Sequence, residues 1–553
     1  MNLNKQMEVY KQITGSLKPT EDMKRRFGEV FTPISLINQI FDKLKTFNIF
    51  GNKNLKWFDP ASGTGNFMVV LYYRLMTNLT CIEDETERKK HILENMLYAS
   101  EITRNNVDHY TELFEGDKYK LNVYCGDTLK LDTKKEWGID KFDVIIGNPP
   151  YNSGNTGTGN TIWQHFTKLC INDLLKKNGY LSFIHPPGWR KPTTKKGKYI
   201  GLYDSMVKDN QLLYLSIHGI KDGKKTFDCG TRYDWYILKK TPNFKHTEIN
   251  DEEGICCKID MTNLSWLPNS KIEIITNLLA INDKKCSVIY NRSNYGSDAK
   301  CTSRIETDEF KYKVIHTIPI TGVRYLYSNT NTKGHFGVKK VIFGDSGFND
   351  VIIDMNGEYG MSEHSIGIKV ENMKEAIDVK NALMSDEFKA TIKSCMWSTY
   401  RIDWRLFSYL KNDFWKQFET CNIIYDRSAY ETRKKWISKI QTNEFKYPCI
   451  HSTPKTGTRY VYSKFDDKGH FGISKVIFGD SGINEPIIDM EGKYGMTHHA
   501  MGIEISSLEE GELLYKSLKS DKMKEFIRSC SYSTYGIDHN IFKGMKKHFW
   551  KEL

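Results

Sequence analysis

Residues 145–152, IIGNPPYN, run an apolar strand pattern into Asn148-Pro149-Pro150-Tyr151. Neither proline has an N–H to give, so a β-ladder must stop there. Each also restricts the backbone before it. The product is a stiff turn that presents an amide side chain, bare carbonyls and an aromatic ring at the C-terminal end of a strand. A second stretch, FDPASGTGNF (58–67), ends an apolar run at Asp59 and continues through Ala61, Gly63 and Gly65. Small residues there let a backbone approach a ligand closely. The stretch lacks the lysine of a phosphate-binding P-loop and does not match G-x-G-x-x-G; read alone, it is also a tight strand-to-helix loop. Glu101 ends the next strand pattern, where a carboxylate is placed to accept from both hydroxyls of a ribose. Asp127 ends the one after, in CGDT. A single acid at such a point is most often a cap or turn former, but three at successive strand ends line one rim of one sheet, where ligands of open α/β folds bind.

The elements that must carry these residues follow from patterning. The first 240 residues alternate short β-like runs with helical periodicity, the α/β signature. Strands are expected at 55–60, 96–102, 121–127, 142–148 and 179–186. Thr32 reads as an N-cap and Pro33 as the first residue of a helix over 32–44, with apolar residues at 36, 37, 40, 41 and 44. A second helix is expected over 161–179, ending at Gly179. The domain boundaries predicted are a catalytic domain over 1–240, a polar connecting segment over 241–287, and two units over 288–420 and 421–553.

Those two units are a tandem duplication. GHFGVKKVIFGDSG (334–347) returns as GHFGISKVIFGDSG (469–482), identical at twelve of fourteen positions with a shift of 135 residues. The same shift relates WSTYRID (397–403) to YSTYGID (532–538), and no gap is needed from Tyr290 to Asp403. A unit this long is a domain rather than a solenoid repeat. Each reads as strands followed by one long helix, an α+β pattern.

Length and composition set outer limits. The chain has 553 residues, enough for several cores. Its formal net charge of +12 leans toward a polyanionic partner, although a basic excess spread over a large surface is the plain alternative. The N-terminus MNLNKQMEVYKQ is polar, and no apolar run reaches the roughly 18 residues of a membrane span. The twelve cysteines are scattered and form no C-x-x-C, so they read as reduced thiols in a cytoplasmic compartment rather than as a zinc site.

The order FGEVFTP, FDPASGTGNF, ASEI, GD, IIGNPPY resembles the gamma-type DNA adenine-N6 methyltransferases of restriction-modification systems, over roughly residues 24–240. The resemblance implies a Rossmann-like domain with a mostly parallel, seven-stranded sheet, S-adenosylmethionine as cofactor, double-stranded DNA as substrate, and a C-terminal target-recognition region. It also implies roles for matching positions. Thr32 and Pro33 would border the methionine end of the cofactor. Asp59, Ala61, Gly63 and Gly65 would form the loop beneath it. Glu101 would hold the ribose, Ile102 would pack on the adenine ring, and Asp127 would accept from the adenine amino group. Many relatives carry an aromatic residue where this chain has Thr128.

The turn at Asn148 then has a task. An adenine amino nitrogen is a poor nucleophile, because its lone pair is delocalised. The Asn148 side-chain oxygen and the Pro149 carbonyl would accept its two hydrogens and stabilise the charge that develops on methyl transfer. Pro150 would stiffen the turn, and Tyr151 would stack on the base. The reaction needs no metal. The base must be flipped out of the duplex, and Phe227 is the candidate for a second wall; a core phenylalanine at the start of a strand is the alternative. His185 and Trp189 are near the same edge.

In the duplicated half, Arg324/Arg459, Lys340/Lys475, His335/His470, Trp397/Tyr532 and Tyr400/Tyr535 are matched candidates for DNA contact; KVIFGDSG also reads as a core strand and turn. Asp480 with EGK (491–493) imitates a metal-dependent nuclease, but the pattern breaks in the first copy at Asp345, Asn356 and Glu358. Other readings are methylation of RNA or of protein glutamine, against which the long duplicated region argues, and a non-catalytic DNA-binding specificity protein. A cognate restriction endonuclease is a possible partner, and neither monomer nor dimer is indicated.

Overall fold

The computed structural model describes residues 32–152, 161–191, 197–281, 283–290, 299–396, 401–419, 421–426, 430, 434–530, 537–543 and 545–551. The N-terminal half is built on nine strands: β1 (Trp57–Asp59), β2 (Leu97–Glu101), β3 (Asn122–Cys125), β4 (Phe142–Gly147), β5 (Leu175–His185), β6 (Gln211–His218), β7 (Tyr233–Lys239), β8 (Thr247–Asn250) and β9 (Cys256–Ile259). They lie in the order β3-β2-β1-β4-β5-β7-β6-β8-β9. The pairs from β3 to β5 are parallel, as is β6–β8; β5–β7, β6–β7 and β8–β9 are antiparallel. The sheet is mostly parallel but has two strands more than the seven expected. Both extra strands come from the polar segment 241–287. β8 alternates buried and half-buried residues and β9 half-buried and exposed ones, a pattern that marks an edge and is easily mistaken for a linker.

Because side chains alternate across a strand, neighbours in sequence enter different cores. Trp57, Val144 and Ile146 pack on one face with Phe41 and Phe67. Phe58, Ile145 and Phe183 pack on the other, in a core continuous through Trp266 and Leu267 with Phe343, Phe388 and Phe407 of the first repeat. The nine-stranded sheet and that repeat therefore share one apolar interior.

Two local expectations change. Helix α1 spans Ile34–Lys45 with Pro33, not Thr32, at the cap position and no side-chain cap bond; the Thr32 hydroxyl is used elsewhere. The helix expected over 161–179 runs only over Trp163–Leu169 and a wide turn to Leu174. Leu175 already pairs with Phe142 in the sheet, and Lys176 is held by Asp143 at 2.9 Å. Strand pairing wins over helical propensity there. Helix α2 (Asn66–Asn78) follows β1, α3 (Arg104–Leu113) follows β2, and α4 (Ile220–Phe227) joins β6 to β7.

Each repeat folds as two four-stranded sheets. In the first, β10 (Val288–Ile289), β14 (Lys340–Gly344), β15 (Gly347–Asp354) and β17 (Ser365–Lys369) form one, and β11 (Thr302–Ser303), β12 (Tyr312–Thr317), β13 (Arg324–Ser328) and β16 (Gly360–Met361) the other. The eight strands of the second repeat, from Ile423–Ile424 to Ala500–Glu504, repeat this order at a shift of 135 residues. The long helix expected in the first copy is two, α5 (Met373–Met384) and α6 (Asp386–Ser394), because Ser385 leaves the helix and caps the second by accepting from the Phe388 N–H.

The register explains a correction. Lys340 faces Asp354 across β14 and β15, as Lys475 faces Asp489 in the second copy. Both lysine side chains are fully buried, with Nζ 2.6 and 3.0 Å from the carboxylates. Neither can reach DNA, so the phosphate-contact expectation for Lys340 and Lys475 fails: their role is internal pairing. Lys340→Met should destabilise the protein by about 3–5 kcal/mol, since it leaves a buried carboxylate without its cation, and denaturant titration would show it. Lost DNA affinity at unchanged stability would restore the contact reading.

Candidate active site

The C-terminal ends of β1, β2 and β4 bring the sequence signals together. Asp59 closes β1 and is buried. Its Oδ1 accepts from the Ala61 N–H at 3.0 Å. Glu101 closes β2; it accepts from the Gly63 N–H at 3.0 Å and from the Thr103 N–H at 2.9 Å, tying the glycine turn to the next strand. Gly65 opens α2 at φ +92°, and a Cβ there would lie 2.9 Å from the Tyr110 ring, so the position admits only glycine without rearrangement. Ile102 is 58% exposed, an apolar side chain left uncovered beside the rim. Asp127 accepts from the Leu129 N–H at 3.1 Å and lies 3.4 Å from Lys130.

Thr128, where relatives carry a ring, is a strut. Its Oγ1 donates to the Pro60 carbonyl at 2.6 Å and lies 2.7 Å from Ser100 Oγ. Ser100 and Thr128 thus fix the glycine turn from below. The sequence offered no signal for them beyond their place next to two acidic strand ends.

Asn148 leaves β4 directly. Its Nδ2 donates to Thr32 Oγ1 at 3.1 Å, while its Oδ1 is buried and accepts no hydrogen bond. An unpaired buried acceptor is costly and stands out in a native fold. The Tyr151 hydroxyl is likewise buried; the Asn148 amide lies beside it without completing a well-formed hydrogen bond. Burial holds it well above the usual phenol range, with Cys229, Tyr233 and Asp234 adding to the rise and the Asn148 amide opposing it. Gly147 was not singled out from the sequence, yet it joins the two halves of the site: a Cβ there would lie 2.6 Å from Asp59 Oδ1, and its φ is +150°.

Burial raises the Asp59 carboxyl to about 7; the Ala61 N–H opposes this and the nearby Glu101 adds to it. The folded value lies above the unfolded one of 3.8. Between these values the native state keeps a proton that the unfolded chain has lost, so stability falls as pH rises through that window. Asp59→Asn removes the dependence. The variant's melting temperature minus that of the wild type should grow from pH 4 to 7 and then level off; a flat difference would show an ordinary carboxyl.

The other candidates divide. Phe227 ends α4 rather than beginning a strand; it is 8% exposed and sits edge-on to Tyr233, with centroids 4.9 Å apart. It packs as core and presents no open face. His185 is fully buried and stacked on Trp163 at 4.1 Å, and burial lowers its pKa to about 4, so it is a neutral core group. Trp189 donates to Asp234 at 2.9 Å, and Arg190, fully buried, is held by both oxygens of the same carboxylate at 2.7 and 2.9 Å. Arg324 and Arg459 are exposed at the starts of matching strands. His335 and His470 both adopt left-handed backbone, at φ +65° and +64°. Trp397, Tyr400, Tyr532 and Tyr535 lie outside the described residues, as does the start of FGEVFTP. Asp480 is 3.0 Å from His499 Nδ1, the pairing that Asp345 makes with His364 in the first copy. Among the described residues no group of three or more His, Cys, Asp or Glu is arranged to hold a metal ion. Nor is any described helix long and apolar enough to cross a membrane.

The strand order, the glycine turn after β1 and the Asn-Pro-Pro-Tyr turn after β4 gather the sequence signals at one edge of an α/β domain. Within it, residues 68–216 match the model of the Eco57I restriction-modification methylase family. The chain is 28% identical to an uncharacterized adenine-specific methylase of Mycoplasma pneumoniae, over 34% of this chain and 61% of that protein. It is 23% identical to modification methylase CviBIII of Paramecium bursaria Chlorella virus NC1A, over 32% of this chain and 44% of that one. The chain thus spans between two fifths and about three fifths of these relatives' lengths. Among solved structures it is similar to the type IIL restriction-modification enzyme MmeI in complex with DNA, at 12% identity and a TM-score of 0.42, covering 71% of this chain and 69% of that one.

Proposed function

We propose that this protein is a site-specific DNA adenine-N6 methyltransferase, acting within a restriction-modification system or as an orphan modification enzyme. The observation that carries this reading is the buried, unpaired Asn148 Oδ1 at the end of β4, beside a carbonyl that Pro149 leaves without a competing N–H. Those acceptors suit the two hydrogens of an exocyclic amino group. As positive charge grows on that nitrogen during transfer, preorganised acceptors stabilise it more than they stabilise the ground state. Asn148 is no general base, so the proton leaves after the methyl has been transferred. The curated relatives are named as an adenine-specific methylase and a modification methylase, in keeping with adenine as the target.

The rim fits S-adenosylmethionine. Gly65 and Gly147 let the turns close on Tyr110 and Asp59, Glu101 and Asp127 supply acceptors for a ribose and an adenine amino group, and Ile102 offers an uncovered apolar surface beside Gly63. Asp59 and Ala61 shape the loop, and Thr32 and Pro33 border it. When bound, the cofactor supplies an electrophilic methyl group. Tyr151 stacks on the flipped base; Phe227 becomes a second wall only if α4 shifts. The two repeats read the DNA, with Arg324 and Arg459 as contacts, and a cognate endonuclease is the natural partner.

The test uses purified protein and cofactor labelled on the transferable methyl group, offered unmethylated genomic DNA, RNA and a protein extract. Label in DNA adenines at one short motif supports the proposal. Label only in RNA or protein overturns it.

A further inference from the structure

Beyond the catalytic turn, the rim carries a cation, Lys191, with no ion-pair partner among the described residues. β4 and β5 are parallel neighbours, with Gly147 opposite Phe183. The Asn148 turn and the Pro186–Arg190 turn therefore leave the sheet side by side. The second is fixed from within, because Trp189 and Arg190 are both held by Asp234, and Arg190 also donates to the Leu267 and Pro268 carbonyls at 3.2 and 2.8 Å. Lys191 follows at once, half-buried.

The charged groups facing Lys191 are Asp403, Arg190, Arg405 and Lys198. Both arginines carry their own carboxylate: Arg190 is held by Asp234, and Arg405 by Asp403, which accepts from Arg405 Nε at 2.8 and 3.0 Å, from Arg405 Nη2, and from the Arg405 N–H at 3.0 Å. Among the described residues Lys191 has no ion-pair partner of its own. Enclosing an ammonium is unfavourable, and burial holds Lys191 below its ordinary pKa, with Asp403 opposing. An anion delivered to this point would relieve that penalty.

The place selects the anion. In the order β3-β2-β1-β4-β5, the carboxylates Asp127, Glu101 and Asp59 lie on one side of Asn148. Lys191 lies on the other, facing Arg405 of the first repeat. That is the substrate side, between catalytic turn and reader. We infer that Lys191, with Lys198 and Arg405 around it, is a clamp for a backbone phosphate of the DNA strand that carries the target base. The inference rests on the proposed DNA reading. Phosphate contacts of this kind fix register and orientation without reading sequence.

The experiment is a salt titration of duplex DNA binding by full-length wild type, Lys191→Gln and Lys191→Arg, with S-adenosylmethionine binding measured on each. Lys191→Gln should weaken binding several-fold at physiological salt and lower the slope of log affinity against log salt by about 0.9, the contribution of one phosphate contact. Lys191→Arg should keep both, and cofactor binding should stay unchanged in all three. If wild type binds duplex and Lys191→Gln matches it in affinity and slope, the clamp alone is overturned. Weaker binding with an unchanged slope, or with cofactor binding lost, assigns Lys191 to structure and also overturns it. Wild type that ignores duplex DNA removes the functional reading and the clamp together.

Discussion

Asn148→Ala should lower kcat for DNA methylation by about 10²–10³, the usual cost of deleting one preorganised polar group aimed at developing charge. Cofactor affinity should fall far less, because Asn148 does not hold the glycine turn and reaches the cofactor's border through its bond to Thr32. The reason lies in the hydrogen-bond pattern. The Asn148 amide spends its donor on Thr32 Oγ1 and keeps its acceptor buried and unused. Alanine removes both, and nothing else in the turn replaces the lost oxygen; the Pro149 carbonyl serves the other hydrogen. Asn148→Asp separates geometry from charge: it keeps an acceptor but cannot donate to Thr32, so it should fall between wild type and alanine. Single-turnover kinetics with labelled cofactor would measure the chemical step. A wild-type rate in Asn148→Ala would remove the turn from the mechanism.

Asp234→Ala should cost about 3–5 kcal/mol of stability, as expected when a buried ion pair loses one partner. Asp234 is fully enclosed and holds both Arg190 and the Trp189 indole. Its loss strands a guanidinium with no exposed surface. Arg190 also donates to Asn269, whose own amide donates onward to the Met396 carbonyl, and the Asn269 N–H donates to the Ser394 carbonyl. The pair therefore fixes the contact between the catalytic sheet and the end of α6 in the first repeat. Replacing Arg190 and Asp234 together by leucines should recover much of the loss, since a buried pair is often no better than apolar packing. Denaturant midpoints for the single and double variants decide it: equal loss in both would show that the carboxylate acts through something other than Arg190.

The site was more legible than the frame around it. Asp59, Gly63, Gly65, Glu101 and Asn148 sit at strand ends because glycine, proline and acidic residues punctuate apolar runs, and that punctuation is local chemistry. Gly147 escaped notice because its reason is a carboxylate 88 positions earlier in the chain, and no local pattern records that approach. Lys340 and Lys475 were misread for a related reason. A lysine before an apolar strand looks solvated until its partner across the ladder is known, and Asp354 and Asp489 become partners only through register. β8 and β9 were hidden by polarity: β9 is the edge strand and buries little, and β8 beside it buries only alternate residues. The Asn148–Thr32 bond spans 116 residues and could be placed only by the fold.

The shared interior bears on descent. The first repeat contributes Phe343, Phe388 and Phe407 to the same apolar body as Phe58 and Ile145, whereas the second encloses its own around Phe478, Leu514 and Trp550. Two copies of one ancestral segment have thus come to unequal independence. Recombination at the junction after Phe418 could remove, replace or add the outer copy as a closed inheritable block. The inner copy can no longer be traded without the nine-stranded sheet it packs on, so change there would come by slow point substitution, and exchange would be confined to the outer copy.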